Sequence, residues 1–297
     1  MKYDLSIALR ICPALSKTVV GFKDKIDLVA VSCRSLRRAL EGISWKIAII
    51  LDGCPSDYRL LMEDVFRGSE MLLFETPSIG NQRTYDKQVD LLLAEKEAKY
   101  VYFAEDDYIY APEAIKAMLD WMSHDDVDFV TPLDHPGSYI PDNTVSRTRI
   151  RVSSFRHWRE VGTTCLTFMT TREMLRMREK TFRHFSRHGE EGTQWIAFTH
   201  EGTHNPLVLF HAFFKLMMRS KCHFGHFMPL CAWRHHWVDL LFRRKCPLWS
   251  PIPSLAIHCS NVSLPPFSSA ILPDAMSHFR KPMEELACRF ISEGVCG

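Results

Sequence analysis

About a third of the way along, the chain reads Tyr100-Val101-Tyr102-Phe103-Ala104-Glu105-Asp106-Asp107, a short apolar run followed directly by three acids. Like-charged carboxylates at the end of a strand raise each other's pKa, and a bound divalent cation removes that penalty. Oxygen ligands suit Mg²⁺ or Mn²⁺, which usually complete their coordination with substrate phosphates. The run therefore predicts a strand that ends at a site for a metal ion and a diphosphate.

The composition of the chain is that of a globular protein. Its 297 residues are 46% hydrophobic and 24% charged, which allows one large α/β domain or two small ones. The formal net charge of +2 argues against nucleic acid as a partner. No apolar run reaches the roughly 18 residues that a spanning helix needs. The ten cysteines lack regular spacing and residues 1–4 do not resemble a signal peptide, so we expect reduced thiols and a cytoplasmic protein.

Strands and helices are predicted to alternate along residues 1–130. Apolar runs predict strands at 5–9, 47–51, 71–74 and 100–104, and three- and four-residue spacings predict helices at 24–43, 56–66, 82–97 and 113–122. Residues 28–31 could also form a strand, but a cap at Asp24 and a closing glycine at Gly42 favour the helix. This alternation is typical of a parallel sheet with right-handed crossovers.

Polar residues follow the predicted strands at the points where they end. They are Arg10, Asp52, the Gly80-Asn81 turn and the acids at 105–107. Ligands of parallel sheets bind beyond the carboxyl ends of the strands. We therefore expect these side chains to line one cleft.

The second half of the chain is less regular. Residues 163–169 are β-rich and predict a strand, and residues 170–173 mark the start of a helix. Residues 186–195 are polar, predict a loop and contain Glu190 and Glu191. The segment 211–246 is aromatic and basic, with seven Lys and Arg residues against one acid.

Taken together, these motifs resemble the GT-A glycosyltransferases, and family 2 of the glycosyltransferases in particular. The matching pieces are Ile47 to Gly53, Ile79-Gly80-Asn81, Val101 to Asp107, and Pro112. In order of elements the resemblance covers most of residues 3–265. It implies an α/β fold of the GT-A type, Rossmann-like, with a mostly parallel central sheet flanked by helices and a helical C-terminal layer.

The resemblance also assigns the donor side of the site. In such enzymes the acid that ends the second strand contacts the nucleotide base or ribose, which implies Asp52. The turn before the long helix lines the nucleotide pocket, which implies Asn81. Arg10 and Asp106 complete the residues expected to bind the donor.

The metal and the base are assigned in the same way. The D-x-D motif of the family falls on residues 105–107, with Asp107 as the metal ligand and Glu105 facing the ribose or the metal shell. His258, after a late strand, is expected to complete the metal or diphosphate shell. The acid ahead of the last core helix is the base, for which Glu191 is preferred and Glu190 remains open.

The function implied is metal-dependent, inverting transfer of a sugar from a nucleotide-sugar donor to a glycan or lipid-linked acceptor, as in surface polysaccharide assembly. Mn²⁺ or Mg²⁺ is the expected cofactor. One GT-A domain is expected, with a donor half at 1–130, an acceptor half at 131–265 and a tail at 266–297. The protein would work in the cytoplasm, with the inner membrane surface as an alternative location.

Other interpretations remain open. A sugar-nucleotide nucleotidyltransferase would share the sheet and the metal-binding carboxylates. It would also need a glycine-rich basic loop after the first strand, and residues 10–17, which follow that strand, have no glycine. A non-catalytic relative that binds a glycan or a membrane is the second rival. The segment 211–246 could either cover the sheet as helices or lie on an anionic membrane. Asp52, Glu191 and His258 could each be ordinary turn or loop residues.

Two motifs suggest zinc. Residues 200–204 match H-E-x-x-H, which works only on a regular helix, and Gly202 and Pro206 favour a turn instead. Another set matches no established finger, so ordinary core and surface histidines are favoured; it comprises Cys222, His226, Cys231 and His235.

Overall fold

The computed structural model describes residues 2–14, 22, 24–135, 149–153, 156–217 and 228–259. Along them the strands are β1 (Tyr3–Ile11), β2 (Trp45–Asp52), β3 (Met71–Thr76), β4 (Ala98–Glu105), β5 (Tyr108–Tyr110), β6 (Phe129–Val130), β7 (Ile150–Ser153), β8 (Arg156–Val161), β9 (Phe168–Thr171), β10 (Leu248–Ile252) and β11 (Ala256–His258). The helices are α1 (Lys25–Ala39), α2 (Ser56–Val65), α3 (Asn81–Ala94), α4 (Ala114–Met122), α5 (Arg172–Met177), α6 (Glu179–Phe182), α7 (His184–His188), α8 (Glu191–Thr199), α9 (Pro206–Met217) and α10 (Met228–Phe242).

One large sheet organises these elements, in the strand order β3-β2-β1-β4-β9-β6-β10-β8-β7. β3, β2, β1 and β4 are parallel, and β9 runs antiparallel to both β4 and β6. β10 is parallel to β6 and antiparallel to β8. The predicted α/β architecture, a mostly parallel central sheet flanked by helices, is confirmed.

The chain order creates a switch point between β1 and β4. From β1 the chain moves outward to β2 and β3, and then returns to place β4 on the other side of β1. Crevices at such points, beyond the carboxyl ends of the strands, are where open α/β sheets bind ligands. Arg10 and Glu105 are paired in register at this end of β1 and β4.

The sheet is buried on both faces. Along β4, Tyr102 packs in the cluster formed with α1, α2 and α4, whereas Phe103 packs in the cluster formed with α3, α5 and α8. Successive side chains of a strand point to opposite faces, so a strand covered on both sides reads as a continuous apolar run. This is why β2 and β4 were recognisable in the sequence.

The first helix confirms the choice between helix and strand at 24–43. Asp24 caps α1 by accepting a hydrogen bond from the backbone N–H of Asp27 at 3.0 Å. A side-chain acceptor at this position satisfies one of the free N–H groups of the first turn.

Two predictions in the second half were wrong. Of the strand predicted at 163–169, only Phe168 and Met169 lie in β9, and residues 163–167 form a loop whose threonines make hydrogen bonds. The loop predicted at 186–195 contains the end of α7 and the start of α8. Residues 192–199 of α8 are all buried, so the helix has no polar face whose periodicity could have revealed it.

The predicted helical layer corresponds to α9 and α10. Leu240 and Ala232 of α10 pack on Ile196 of α8. Among the described residues, no helix has both the length and the apolar character that a membrane span requires. The tail at 266–297 lies outside the described residues.

Candidate active site

Arg10, the penultimate residue of β1, is buried between β4 and the start of α3. Its guanidinium donates to the backbone oxygen of Asn81 at 3.0 Å, to the side-chain oxygen of Asn81 and to Oε1 of Glu105. A buried guanidinium cannot lose its charge, so it needs acceptors of this kind. Arg10 therefore ties the carboxyl ends of two strands to the first turn of α3.

Glu105 has a second partner that the sequence did not reveal. Oε2 of Glu105 accepts a hydrogen bond from the hydroxyl of Thr167 at 3.0 Å. Thr167 is buried in the loop before β9. Both oxygens of Glu105 thus have protein partners, one on β1 and one beside β9.

Asp106 has different partners from its two neighbours. Its carboxylate pairs with Nζ of Lys25 at 2.7 Å and accepts from the backbone N–H of Cys12 at 2.9 Å. Lys25 is a buried residue at the start of α1, and nothing in its sequence context singled it out. These contacts give Asp106 a role in holding the segment after β1, and its direct contact with a donor stays a prediction.

Asp107 pairs with His258. Oδ2 of Asp107 lies 3.1 Å from Nε2 of His258, whose Nδ1 lies 4.0 Å from Sγ of Cys165. The pairing of β5 with β11 sets His258 opposite Tyr108, and their rings stack with centroids 4.6 Å apart. The structure therefore brings together two of the three residues that the resemblance assigned to the metal shell, Asp107 and His258, while Glu105 pairs with Arg10 and Thr167.

The charges of this pair stabilise each other. Burial opposes the charged form of Asp107, but the hydrogen bond from His258 and the positive charges of His258, Lys25 and Arg10 together outweigh it and hold the pKa of Asp107 below its ordinary value. Burial also opposes the charge of His258, yet the contacts with Asp107 and Cys165 together raise the pKa of His258 to about 11. At neutral pH the two side chains form an ion pair.

The other oxygen of Asp107 is unsatisfied. Oδ1 is buried and has no hydrogen-bond partner among the described residues. A buried carboxylate oxygen without a partner is costly, and a hard divalent cation is the ligand it suits. As they stand, the described residues contain no group of three or more His, Cys, Asp and Glu side chains arranged to hold a metal ion. A cation at Asp107 would therefore take further ligands from substrate phosphates and water, as Mg²⁺ and Mn²⁺ usually do.

Asp52 anchors the loop that leads into α3. Its carboxylate accepts from the backbone N–H of Ile79 at 2.6 Å, from that of Gly80 at 2.8 Å and from the hydroxyl of Thr76 at 2.8 Å. Gly80 has a φ of 87°, a conformation that favours glycine. Asp52 thus positions Asn81, which is exposed at the cleft, and its own contact with a nucleotide stays a prediction.

Glu191 is half-buried at the start of α8. Burial, reinforced by the charge of Glu105 and partly offset by Arg10 and His258, raises the pKa of Glu191 to about 7. A carboxyl group of this kind can accept a proton near neutral pH. Its electrostatic coupling to Glu105, Arg10 and His258 places Glu191 with the predicted donor residues.

Glu190 has different surroundings. Its Oε2 accepts a hydrogen bond from the hydroxyl of Thr193 at 3.1 Å, and its charge acts on Cys231 of α10. Of the two acids that the sequence left open, Glu191 is therefore the one coupled to the cleft.

The two zinc motifs do not form finger or protease sites in the described residues. His200 ends α8 with a φ of 54°, and residues 201–204 form a turn, so the H-E-x-x-H sequence is not helical, as predicted. Cys222 and His226 lie outside the described residues. Cys231 and His235 lie on α10.

Comparison with known proteins gives only weak likenesses. No protein-family model and no curated protein matches the chain. S. aureus TarS in complex with UDP is similar at 14% identity and a TM-score of 0.42, over 65% of this chain and 54% of that one. Glucosyl-3-phosphoglycerate synthase from Mycobacterium tuberculosis, in complex with Mn²⁺, UDP and glucosyl-3-phosphoglycerate, is similar at 10% identity and a TM-score of 0.34, over 58% of this chain and 57% of that one.

4-Diphosphocytidyl-2C-methyl-D-erythritol synthase from Anaerococcus prevotii is similar at 8% identity and a TM-score of 0.39, over 68% of this chain and 84% of that one. The chain spans only about half of the length of the TarS structure, 55% in one form. At such identities and TM-scores these likenesses decide nothing about function.

Proposed function

We propose that the protein is a metal-dependent inverting glycosyltransferase that moves a sugar from a nucleotide-sugar donor to a glycan or lipid-linked acceptor. The observation that carries the proposal is the oxygen of Asp107 that has no partner among the described residues, together with Glu191, a carboxyl group with a pKa of about 7 that is coupled to Glu105, Arg10 and His258. The cleft lies at the switch point of a parallel sheet, where ligands of such sheets bind. A cation-binding carboxylate and a separate proton acceptor are the two groups that this reaction requires.

Asp107 would hold Mn²⁺ or Mg²⁺, with Glu105 beside it. His258 would ligate the ion only after losing the proton that it shares with Asp107, and with that proton kept it would contact the diphosphate instead. When bound, the ion supplies positive charge that offsets the charge developing on the departing diphosphate. His258 already contacts Asp107, so the pair is fixed before a ligand arrives. Arg10 holds Glu105 and Asn81 together, and Asp52 fixes the turn that carries Asn81.

Glu191 would take the proton of the acceptor hydroxyl. Attack from the face of the sugar opposite the diphosphate inverts the anomeric centre, by the same geometry that inverting glycoside hydrolases use. Residues 1–130 would bind most of the donor and residues 131–265 the acceptor, since Glu191, the proposed base, comes from the second segment, which also adds His258 to the donor side. A surface polysaccharide is the acceptor class we propose.

A turnover assay with a pair of variants tests this function. Release of the nucleotide is measured with Mn²⁺, with and without candidate glycan acceptors: the nucleoside diphosphate from UDP-, GDP- and TDP-sugars, and CMP from CMP-sugars. Loss of a general base lowers turnover by about 10²- to 10⁴-fold, so the turnover number of Glu191→Gln should be lower than that of the wild type by this factor. Glu190→Gln, which removes the charge of the adjacent acid, should retain most of the activity. Equal losses in the two variants would refute the assignment of the base.

The same preparation separates the rival functions. A nucleotidyltransferase would release pyrophosphate from a nucleoside triphosphate and a sugar phosphate. A non-catalytic relative would bind ligand without turnover of any donor. Either result would overturn the glycosyltransferase proposal.

We further propose that α9 and α10 contact an anionic membrane. Both helices expose large apolar side chains at helical spacing, an arrangement that suits insertion into the interface of a bilayer. These residues and their exposed fractions are Leu207 77%, Phe210 68%, Phe213 54%, Trp237 52%, Leu241 55% and Phe242 75%. The basic composition of residues 211–246 favours anionic lipids, and a lipid-linked acceptor would be found there.

Vesicle flotation tests the membrane proposal. The wild-type chain should bind vesicles that contain phosphatidylserine and should bind neutral vesicles less, with binding that falls as salt rises. Replacement of Trp237, Leu241 and Phe242 by serine should abolish binding. Serine at Leu60 and Leu72, exposed apolar residues of α2 and β3, is the matched control. Absence of wild-type binding at low salt would contradict the proposal.

A further inference from the structure

Four histidines from two helices meet outside the proposed active site. His184 and His188 lie on α7, and His235 and His236 lie on α10. The ring of His184 has centroid distances of 4.7 Å to His188, 5.4 Å to His235 and 4.6 Å to His236. The rings of His188 and His235 are 4.5 Å apart. These residues are called the histidine cluster.

The backbone is shaped so that the four rings converge. His184 and His188 are four residues apart and therefore share one face of α7. Adjacent residues of a regular helix point about 100° apart, so His235 and His236 would not normally face one partner. His236 has φ −131° and ψ 25°, a kink within α10. With this kink both imidazoles contact His184.

The innermost histidine, His184, is hydrogen-bonded through only one of its two ring nitrogens among the described residues. His184 is 2% exposed, and its Nε2 has no hydrogen-bond partner among the described residues. Its Nδ1 lies 2.9 Å from Nε2 of His236, so these two nitrogens share one proton. Nδ1 of His236 lies 3.6 Å from a carboxylate oxygen of Asp239. A carboxylate behind an imidazole is the usual support of a metal-bound histidine.

We propose that the histidine cluster is a second metal site, which binds a divalent transition ion of borderline softness such as Zn²⁺. Imidazole is a favoured ligand of Zn²⁺, Cu²⁺ and Ni²⁺, whereas Mg²⁺ and Mn²⁺ prefer oxygen. Two imidazoles that share a tetrahedral ion, with metal–nitrogen distances of about 2.0–2.1 Å, have centroids about 5 Å apart and nitrogens about 3.3 Å apart. The centroid distances of the cluster lie around the first value, and the nitrogens of His184 and His236 are slightly closer than the second.

Binding requires a small rearrangement. In the ligand-free arrangement no group of three or more such side chains among the described residues is already placed to hold an ion. The ion replaces the proton between Nδ1 of His184 and Nε2 of His236, and Nε2 of His184 then carries the proton of the neutral ring. Rotation of the exposed rings of His188 and His235 brings their nitrogens toward the ion. Terminal torsions of histidine are soft, so this rotation costs little.

An ion at this position would link two parts of the second half of the chain. It would join α7 to α10, and His188 precedes Glu191 by only a short turn. The site goes beyond the proposed glycosyl transfer and does not depend on it, because its ligands are separate from Asp107 and His258. Its expected effect is to fix the segment that carries Glu191.

Cobalt titration of the metal-free, full-length protein tests the proposal. Co²⁺ substitutes for Zn²⁺ and gives intense visible absorption when its coordination is tetrahedral with imidazole ligands. The titration is made in Asp107→Asn, so that the proposed active site contributes no metal binding. We expect one equivalent of Co²⁺ to bind with this spectrum and to be displaced by Zn²⁺.

Two variants identify the ligands. Loss of an outer partner of a metal site costs about 10- to 100-fold in affinity, so His188→Ala combined with His235→Ala should cost at least that much. Both residues are exposed, so the folded chain should survive their replacement. His157→Ala, which removes an exposed histidine of β8, is the control and should bind normally.

The thermal midpoint gives a second readout. Zn²⁺ should raise Tm in the wild-type chain and leave Tm of the double variant unchanged, since only binding to the folded state stabilises it. A wild-type chain that binds neither ion at micromolar concentration would overturn the proposal. Undiminished affinity in the double variant would overturn it as well.

Discussion

Glu191 is a residue whose charge changes near neutral pH. Burial raises the pKa of Glu191 from its ordinary 4.5 to about 7. A general base acts only when it is deprotonated. Wild-type turnover should therefore rise with pH through about 7, and the residual turnover of Glu191→Gln should not show that rise. A rate–pH profile of the two proteins, measured at saturating donor, checks this, and the same rise in the variant would contradict the assignment.

The raised pKa of Glu191 also predicts an effect on stability. Because the folded state holds this proton more tightly than the unfolded state, Glu191 contributes stability below its ordinary pKa, and that contribution is lost as pH rises through about 7. Glutamine is neutral at every pH. Glu191→Gln should thus match the wild type near pH 4 and exceed it near pH 8 in the free energy of unfolding. Urea denaturation at both pH values measures this, and an unchanged difference between them would contradict it.

At the residue scale, the sequence revealed groups that stand at the ends of recognisable strands. Asp52, Glu105 and Asp107 could be predicted because each follows an apolar run. Lys25 and Thr167 could not, because their roles arise from contacts with Asp106 and Glu105 across the fold. Nothing local distinguishes a buried lysine that pairs with a distant carboxylate from a solvated one.

At the scale of elements, the junction between β3 and α3 depends on Asp52. Its carboxylate accepts two backbone N–H groups and one hydroxyl. In Asp52→Asn, the side-chain NH₂ group would replace one carboxylate oxygen that now accepts hydrogen bonds. At least one of these donors would then lose its acceptor. An unsatisfied buried group costs about 1–3 kcal/mol, which is the loss of stability we expect.

Denaturant unfolding of Asp52→Asn tests this junction. Asp125→Asn, at an exposed acid after α4, is the matched control and should stay within about 0.5 kcal/mol of the wild type. If the free energy of unfolding fell no more in Asp52→Asn than in this control, the hydrogen bonds of Asp52 would not stabilise the loop.

Whether a strand or helix could be predicted from the sequence depended on how that element is buried in the fold. β2 and β4 are buried on both faces and α1 is capped by Asp24, so periodicity and capping gave their positions. α8 was missed because it is buried on all sides, and β8 because its alternation includes charged residues that pair with acids elsewhere. The spacing of apolar and polar residues in a sequence reveals an element when one of its faces is exposed to water, and these two elements have no distinct polar face.

On the scale of the whole molecule, stability depends on the aromatic cluster between the sheet and α8. Phe168 is fully buried, with ring centroids 4.6 Å from Phe103 and 4.8 Å from Trp195. Phe168→Ala should cost about 3–5 kcal/mol by equilibrium unfolding. Phe242→Ala removes the same side chain at a position that is 75% exposed and should change stability by less than about 0.5 kcal/mol. Similar losses of stability in Phe168→Ala and Phe242→Ala would contradict the central role of the aromatic cluster in stability.

Binding of nucleoside diphosphates by calorimetry tests the central claim, that Asp107 holds a cation for the donor diphosphate. UDP, GDP, TDP and CDP are titrated into the wild type and Asp107→Asn, with Mn²⁺ or with a chelator. We predict that one of them binds the wild type in Mn²⁺ and that chelator or Asp107→Asn weakens it more than about tenfold, or about 1.4 kcal/mol. Asp125→Asn should bind as the wild type does. Binding that is equally tight in Asp107→Asn, or no binding to the wild type in Mn²⁺, would contradict the claim.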